Sequence, residues 1–456
     1  MKQRTIRLAA TGARLATGAA VATACVLGVG AAVAAPWPSV QSEPATATVT
    51  PVPGDATIVC NGAFRALGRD SSQADLLVSA AAPDLRVDDR DHETSTTDLA
   101  MPGVLGGEGA KSITAAVADR TAPLISAAES VSLDEEDLRG YAAAPCREAG
   151  MRSWLVGGDG STGSSDVILL SNPADVASTV ELNVYGAQRR TTTKIVPPKT
   201  QITLTLASVA GAESRPVIEV VAAGAPVRAA LQSAHVRTLD AVGIDVQDGV
   251  GGAQRSLRLL GAHSQPISDG DDSTGILLRL LAPDEDATAT VRVRGADGTA
   301  GSDEYVVELT AATPTEVSLT GMGAGAHDIE IDATAPVVAG ARQTARAEGR
   351  EDFAWMLPAP QMTGTVPFTV PRGASATLYL SSAEESTTTV TLAGIDERIV
   401  ELPAGGAEQI PLQPGEHVLS SDGAVHAAVG LLGDAAIAGW PLWAPPATQQ
   451  PIVVRP

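Results

Sequence analysis

Aromatic side chains are scarce in this sequence. Phe, Trp and Tyr together make up 3% of the 456 residues, whereas hydrophobic residues of all kinds make up 44%. The cores must therefore be built mainly from Ala, Val and Leu, side chains that suit the thin layers between packed β-sheets. A disordered chain would be poorer in such residues. The length gives room for three or four domains of ordinary size.

Motifs of catalytic and cofactor sites are also missing. The sequence has no GxSxG, HExxH or GxxxxGK[ST] pattern, the motifs that present a nucleophile, a catalytic zinc or a phosphate-binding loop. We therefore assign no catalytic residue, no cofactor and no metal ligand, and we expect no enzymatic activity. Paired carboxylates for glycoside hydrolysis stay open, because their separation is spatial. The histidines stand singly, without a second ligand at metal spacing: His92, His235, His263, His327, His417 and His426.

Positive charge is scarce beyond the N-terminus. Residues 1–35 hold four of the 31 basic side chains and none of the 53 acidic ones, so the remainder has 27 basic against 53 acidic residues and a net charge of −26. A surface this acidic repels nucleic acid, anionic lipid and anionic wall polymers unless divalent cations intervene. We expect no nucleic-acid partner.

The N-terminus has the pattern of an export signal. Lys2, Arg4, Arg7 and Arg14 precede an uncharged run, 15–35, that ends in small residues. The run is also long enough to cross a bilayer with its basic side in the cytoplasm. Residues 1–35 are therefore a cleaved signal peptide or a signal anchor, and the rest is expected outside the cytoplasmic membrane, secreted or anchored. A lipid-modified Cys25 is a further alternative, since the residues before it loosely resemble a lipoprotein cleavage site.

A linker and an irregular region follow. Residues 36–54 are rich in Pro, Thr and Ala, which predicts an extended linker. Residues 55–150 read as mainly β, with candidate strands at 75–78, 112–117 and 124–126. Their acidic clusters, 88–93 and 133–139, suit solvated loops or a helix start better than metal sites. Cys60 and Cys146 are the only cysteines after the signal, so a disulfide that closes this region is expected in an oxidising compartment.

A short apolar cassette then recurs and organises the rest of the chain. It reads APVRAALQ at 225–232, APVVAGARQ at 335–343 and, more faintly, AVHAAVG at 424–430. Four predicted strands precede each copy, which is itself a short, mostly buried strand that closes the module. The second strand of each set alternates cleanly and ends on glycine. We predict an all-β fold of tandem immunoglobulin-like or β-sandwich modules at 151–255, 256–353 and 354–456. The strands are predicted at 167–173, 180–186, 201–206 and 217–221, at 276–283, 289–295, 316–319 and 327–331, and at 378–383, 388–394, 408–412 and 416–419.

Four tryptophans lie at the joints of these modules. Trp154, Trp355, Trp440 and Trp443 are candidates for ligand-facing aromatics, if they are exposed on one surface. The alternative is that each ring plugs a sandwich end or a seam between neighbours. The loop 269–275 resembles a calcium loop for three positions and then lacks the glycine and the acid that such a loop needs. It corresponds to 159–163 in the first module, as a repeated surface loop would.

The residues at 139–146, 154–158, 169–173 and 180–186 resemble an uncharacterised family of actinobacterial exported proteins that contain a domain of unknown function. The resemblance extends from 58–60 to the last module. It implies an N-terminal signal or membrane segment, a paired Cys60 and Cys146, and serial β-modules. It supplies no catalytic residue. Some relatives carry the label of large helical proteins, which this strand-rich sequence contradicts.

These observations favour a non-enzymatic, exported cell-envelope protein, a tether, scaffold or stalk whose β-sandwich modules bind an envelope protein or glycan. Membrane attachment would run through 15–35 if the signal stays uncleaved. The alternative is a carbohydrate-binding or carbohydrate-processing wall protein, which needs at least two of the four tryptophans on one surface with carboxylates nearby.

Overall fold

The structure, a computed structural model, is mostly β, as the sequence predicts. It describes residues 2–34, 47–49, 53–68, 76–88, 93–107, 109–118, 121–265, 275–298, 303–320, 322–395, 397–445 and 452–454. Most of the loop at 269–275 and most of the acidic cluster at 88–93 lie outside these residues. The chain forms two units: residues 1–51 with 450–456, and residues 52–449.

The first part of the chain contains one long helix and ten strands. They are α1 (Lys2–Ala34), β1 (Ala47–Val49), β2 (Ala56–Val59), β3 (Phe64–Leu67), β4 (Leu77–Ala81), β5 (Asp84–Asp88), β6 (Thr94–Asp98), β7 (Val104–Leu105), β8 (Lys111–Ala115), β9 (Ser126–Asp134) and β10 (Arg139–Pro145). Strands β2 to β10 form three small sheets, ordered β2-β8-β6, β3-β4-β7 and β10-β9-β5. We call them the N-terminal block.

Three sets of strands follow. The first comprises β11 (Arg152–Val156), β12 (Val167–Asn172), β13 (Ser178–Tyr185), β14 (Arg190–Val196), β15 (Thr200–Thr205), α2 (Leu206–Ala210), β16 (Val217–Ala223), β17 (Arg228–Arg237) and β18 (Asp240–Asp248). The second comprises β19 (Gln254–Ser264), β20 (Ile276–Leu281), β21 (Ala287–Gly295), β22 (Asp303–Leu309), β23 (Thr315–Leu319), β24 (Gly325–Ala347) and β25 (Arg350–Met356). The third comprises β26 (Met362–Val370), β27 (Ser375–Ser382), β28 (Thr388–Gly394), β29 (Arg398–Leu402), β30 (Ala407–Leu412), β31 (Gly415–Gly433) and β32 (Ala436–Pro441), and β33 (Ile452–Val454) ends the described chain.

The smaller unit contains α1, β1 and β33. Strand β1 pairs with β33 antiparallel, Thr48 opposite Val453. The stretch Gly12–Ala34 of α1 is long and apolar enough to cross a membrane, judged by length and composition, and a signal sequence would pass the same test. This helix lies where the sequence predicts the signal or anchor. Strand β1 falls within the predicted linker, and β33 groups with it rather than with the third module.

Each of the three strand sets repeats one topology. In the first set, two sheets have the orders β11-β16-β13-β14 and β15-β12-β17-β18. In the second set, the first half of β24 pairs with β19 and β21, and its second half pairs with β20 and β25. Strand β31 does the same for β26, β28, β27 and β32. The recurring cassette is therefore the strand stretch that carries the chain into the second sheet.

Small aliphatic side chains fill the space between the two sheets of each set, which we call the first, second and third sandwich. In the first sandwich, Val180 and Leu182 from one sheet pack with Ile168 and Leu231 from the other. The second and third sandwiches have equivalent clusters around Leu278 with Ile331, and Leu378 with Leu419. The alternating pattern of the sequence thus predicts the inner faces correctly.

The N-terminal block and the three sandwiches pack around a common centre. Strand β10 contacts β18, β25 and β32, and these three central strands also contact one another. The third sandwich returns to the block through β26, which contacts β9 and β5. Residues 52–449 therefore form a closed cycle of four parts.

Several local expectations need correction. The predicted strand at 124–126 begins only at Ser126 and continues in β9 to Asp134. Strand β9 forms a hairpin with β10, so the expected solvated loop at 133–139 is found at the exposed residues 135–137, with strand on either side and no helix start. A short helix, α2, ends the predicted strand at 201–206. Strand β25 pairs with β24 and crosses the predicted border at 353. The division into domains stays a prediction, since residues 52–449 pack as one unit.

Candidate functional site

A cleft of the described body lies where the N-terminal block meets the third sandwich. It has a volume of about 550 Å³, within the range of sites that hold a small molecule or a peptide segment. Its lining comprises Gly54, Asp55, Ala56, Thr57, Ile58, Ala122, Pro123, Ile125, Ser126, Ala127, Pro145, Cys146, Arg147, Glu148, Ala149, Gly150, Pro173, Pro226, Val366, Pro367, Phe368, Thr369, Trp440, Pro441, Leu442, Trp443, Ala444 and Pro445.

Two hydrophobic cores form the walls of the cleft. Ile58 and Ile125 belong to the core of the N-terminal block, together with the disulfide. Phe368 and Trp440 belong to the core of the third sandwich. The hydroxyl groups of Ser126 and Thr369 are hydrogen-bonded across the seam, at 2.7 Å. The cleft is thus the unfilled part of a joint between two parts of the body.

The predicted disulfide between Cys60 and Cys146 is confirmed, and Cys146 lies in the cleft wall. A carboxylate oxygen of buried Glu129 and the two sulfur atoms lie within 4.8 Å of one another. Both sulfurs are committed to the S–S bond, and the Glu129 carboxylate accepts the backbone N–H groups of Asn61 and Gly62. This group is therefore unsuited to hold a metal ion.

Arg147 and Trp443 form the most ordered polar feature of the cleft. The guanidinium carbon of Arg147 lies 3.3 Å from the centre of the Trp443 ring, a cation–π contact. Nη1 of Arg147 also donates to the carbonyl of Gly249 at 3.0 Å. Burial lowers the pKa of Arg147 to about 10, while Asp248 acts to raise it. Arg147 is therefore protonated at neutral pH, and one face of Trp443 is occupied.

Two carboxylates lie in the cleft lining. Asp55 accepts the backbone N–H of Val117 at 2.9 Å, so one of its oxygens is partly committed. Glu148 is exposed at the rim. Partial burial raises the pKa of Glu148, and the neighbouring Arg147 acts to lower it. The cleft therefore offers a mostly apolar floor with a few charged groups.

The structure separates the four tryptophans that the sequence singles out. Trp154 packs against Tyr185 with ring centres 5.4 Å apart, in a cluster that includes Leu281 and Val338 of the second sandwich. Trp355 lies beneath the Arg279 guanidinium, at 4.7 Å. Both indoles are 3–4% exposed, which leaves them no accessible face. Trp440 and half-buried Trp443 share the cleft, although Trp440 is also 4% exposed.

All four parts of the body also meet at one buried carboxylate. The carboxylate of Asp352, on β25, is fully buried. It accepts backbone N–H groups from three other parts: Tyr141 of the N-terminal block at 2.9 Å, Ile244 of the first sandwich at 3.1 Å and Ile437 of the third at 3.2 Å. We call this the Asp352 junction. Burial raises its pKa well above the usual range, and the backbone N–H groups act to lower it.

Two glycines make room for the Asp352 junction. A Cβ on Gly140 or Gly243 would lie 2.5 or 2.6 Å from Oδ1 of Asp352. Both residues also have positive φ, 143° and 139°, which favours glycine. Glycines in the strands before Tyr141 and Ile244 are the only sequence signal for this junction that we recognise. In the sequence alone, where their proximity to Asp352 is not visible, these two glycines predict β-bulges.

Other buried charges join neighbouring parts. The guanidinium of Arg65, in the N-terminal block, donates to the side-chain oxygen of Gln201 in the first sandwich. The backbone N–H of Arg65 donates to the side-chain oxygen of Gln232, also in the first sandwich, and the backbone carbonyl of Arg65 accepts from the side-chain nitrogen of Gln232. Arg279 of the second sandwich donates to two carbonyls of the first, Gly158 and Pro216, each at 2.9 Å. Both guanidinium groups bond to neighbouring parts of the fold, although Nε of Arg65 has no hydrogen-bond partner among the described residues, and both residues lie outside the cleft lining.

Two further buried carboxylates have pKa values close to neutral pH. Asp245 accepts the backbone N–H of Trp355 at 2.8 Å, across the joint between the first and second sandwiches. Asp328 accepts the N–H of Gly261 at 3.1 Å. Burial raises the pKa of each to about 7, against the lowering effect of these backbone bonds.

Comparison with known families places the chain. A family model described as a family of unknown function (DUF5719) matches residues 105–413. The chain belongs to DUF5719. The resemblance inferred from the sequence is thereby confirmed at the level of a family of unknown function. The match covers the first two sandwiches and much of the third, and it leaves Cys60, Trp440 and Trp443 outside. No curated protein matches the chain.

Proposed function

We propose that this DUF5719 member is a non-enzymatic, exported protein of the cell envelope, a scaffold that holds another envelope component in its cleft. The observation that carries the proposal is the cleft itself. Its lining consists mainly of apolar side chains, and its charged groups are engaged in packing or lie at the rim. Such a lining supports binding.

Export is supported by two features. Helix α1 contains a stretch with the length and composition of a membrane span or a signal sequence. The Cys60–Cys146 disulfide is typical of an oxidising compartment. The intact mass of the protein from its host would separate a released body, which starts near Ala35, from an anchored one that retains Lys2.

The non-enzymatic part of the proposal is supported by the structural roles of the buried charged side chains. Among the described residues that line the cleft there is no histidine, and the charged groups at Arg65, Arg279 and Asp352 join parts of the body. General acid–base and nucleophilic catalysis need such groups free to reach a substrate.

Site-specific photocrosslinking in the host tests the proposal. Ala444 is exposed and lines the cleft, whereas Gly251 is exposed and lies outside the lining. A photoreactive phenylalanine at Ala444 should give a defined adduct with an envelope component, and the same group at Gly251 should not. Identical adducts from both positions, or none from Ala444, would overturn a cleft-binding function.

A carbohydrate ligand is the second candidate, because Trp440, Trp443 and the carboxylates of Asp55 and Glu148 share one cleft. Against it, Arg147 covers one face of Trp443, and sugar stacking needs an open indole face. Soluble wall glycan that protects Trp443 from acrylamide quenching, measured against a Trp443→Phe variant, would favour this candidate.

A further inference from the structure

The cleft lining is poor in backbone hydrogen-bond donors. It includes seven prolines: Pro123, Pro145, Pro173, Pro226, Pro367, Pro441 and Pro445. Proline lacks a backbone N–H, so much of this surface offers shape without donors. A ligand that needs many hydrogen bonds, such as a sugar or an added β-strand, finds few partners here.

The aromatic rings suggest which ligand suits such a surface. Phe368 and Trp440 of the third sandwich line the cleft but are each 4% exposed. Trp443, three residues after Trp440, is half-buried and is the most accessible of the three rings. Grooves of aromatic and proline side chains bind polyproline II segments, because that conformation is preformed and keeps its own backbone solvated. A proline-rich peptide therefore needs little from the cleft besides apolar contact.

Charge defines the ligand further. The rim holds the carboxylates of Asp55 and Glu148, while Arg147 is committed to Trp443 and the Gly249 carbonyl. The chain beyond residue 35 has a net charge of −26. This field attracts cationic segments and repels anionic ones.

Resting on the proposed function, we infer that the cleft binds an extended, proline-rich segment of another exported protein, with a basic residue beside the prolines. The prolines of the ligand lie against the cleft wall that carries the half-buried Trp443, and its basic side chain faces the carboxylates of the rim. The partner is thus a protein segment, and a glycan is a competing outcome of the test.

Gly54 provides a way to fill the cleft without disturbing the fold. A Cβ at Gly54 meets no atom within 4 Å, its φ is not positive, and the residue lines the cleft. Gly251 has the same open surroundings outside the lining. Gly54→Trp and Gly251→Trp are therefore a matched pair, the first a block and the second its control.

Fluorescence anisotropy with the full-length chain tests the inference. The probe is a fluorescein-labelled peptide of repeated Pro-Pro-Lys triplets, compared with Gly-Gly-Lys and Pro-Pro-Glu triplets. We expect saturable binding of the first peptide and affinities at least about tenfold lower for the other two. Gly54→Trp should weaken the first interaction at least about tenfold, and Gly251→Trp should leave it unchanged.

The rim carboxylate allows a finer measurement. Glu148→Gln should weaken Pro-Pro-Lys binding about two- to fivefold and flatten its salt dependence, as expected for one exposed ion pair. Asp240→Asn removes an exposed carboxylate on β18, outside the cleft lining, and should change neither. Equal effects of both substitutions would mean attraction to the acidic body as a whole.

The two proposals fail differently. Equal binding of the proline and glycine peptides, or binding that Gly54→Trp does not affect, would overturn the peptide inference. If the Ala444 crosslinker still captures a glycan or a segment without prolines, the binding function stands and the ligand class is wrong. If neither crosslinking nor peptide binding depends on the cleft, both proposals are wrong.

Discussion

The Asp352 junction and the cleft are both places where separate parts of the body meet, and they use opposite means. At the junction, backbone N–H groups from three parts converge on one buried carboxylate. The oxygens of this carboxylate are therefore engaged within the fold. At the cleft, two hydrophobic cores meet incompletely and leave about 550 Å³ between them. A filled polar joint fixes the arrangement of the parts, whereas an unfilled apolar joint presents a surface.

The largest expected effect is a loss of stability with rising pH, caused by two buried carboxylates outside the cleft lining: Asp245 at the filled joint between the first and second sandwiches, and Asp328 within the second. Burial raises the pKa of Asp245 and Asp328 to about 7, so their stabilising protonation is complete below an unfolded pKa near 4 and is lost as pH rises through 7. We expect the free energy of unfolding to fall by roughly 4 kcal/mol or more between pH 5 and 8. Urea unfolding across this range measures it, and an Asp245→Asn, Asp328→Asn double variant should show a flatter profile. A stability that rises with pH would contradict this assignment.

The next effect concerns the wall of the cleft. Replacing Cys60 and Cys146 by serine releases a crosslink between residues separated by 86 positions and should lower the free energy of unfolding by about 4 kcal/mol. Cys25→Ser, which removes the cysteine outside the pair, is the control and should have no effect. Urea unfolding under oxidising conditions gives the comparison. An unchanged stability would mean that the cleft wall is held by packing alone.

A somewhat smaller effect is expected at the Asp352 junction. Asp352→Asn places an amide N–H₂ where backbone N–H groups converge, so at least one buried donor loses its acceptor. The expected loss is about 3 kcal/mol. Asp240→Asn, on the exposed start of β18, should change stability by less than about 0.5 kcal/mol. Thermal unfolding of the two variants tests whether this junction stabilises the arrangement.

The smallest effect should lie at the rim of the cleft. Arg147→Gln removes the cation over Trp443, and the expected loss of stability is about 1 kcal/mol. Arg189 lies over Tyr185 in the same manner, 4.4 Å from the ring centre, so Arg189→Gln is a matched comparison away from the cleft. Only the Arg147 variant should change Trp443 fluorescence. A change with both variants would mean that the signal reports global loosening.

The sequence predicts the interior of each sandwich better than its edges. Strands with an alternating buried face, such as β13 and β21, follow from periodicity. The sequence does not predict the edge strands β14, β22 and β29, because most of their side chains are exposed. Polar residues dominate β14, whereas in β22 and β29 apolar residues such as Val306 and Ile399 are themselves exposed, so polarity does not mark the buried face. The central strands β18, β25 and β32 were also missed, since they are buried by other parts of the body rather than by their own sandwich.

The candidate site was predictable only in part. The sequence singles out four tryptophans, any two of which would share a surface with carboxylates in a carbohydrate site, and the cleft contains Trp440 and Trp443. Trp154 and Trp355 were grouped with them because all four lie at joints, yet two of these joints are filled. Asp352 carries no signal of its own, because periodicity cannot show that one carboxylate meets three distant backbone segments.

The long strands have a mechanical consequence. Strands β24 and β31 each run without a break from one sheet of their sandwich into the other. The two sheets therefore cannot slide apart unless the strand that they share loses its pairing in one of them. In the first sandwich the equivalent path is interrupted at Gly224, with φ of 101°, between β16 and β17. Under a pulling force we expect the first sandwich to yield before the other two, and optical-trap unfolding would order the three events. A body loaded through its ends would thus have a built-in weak point beside the N-terminal block.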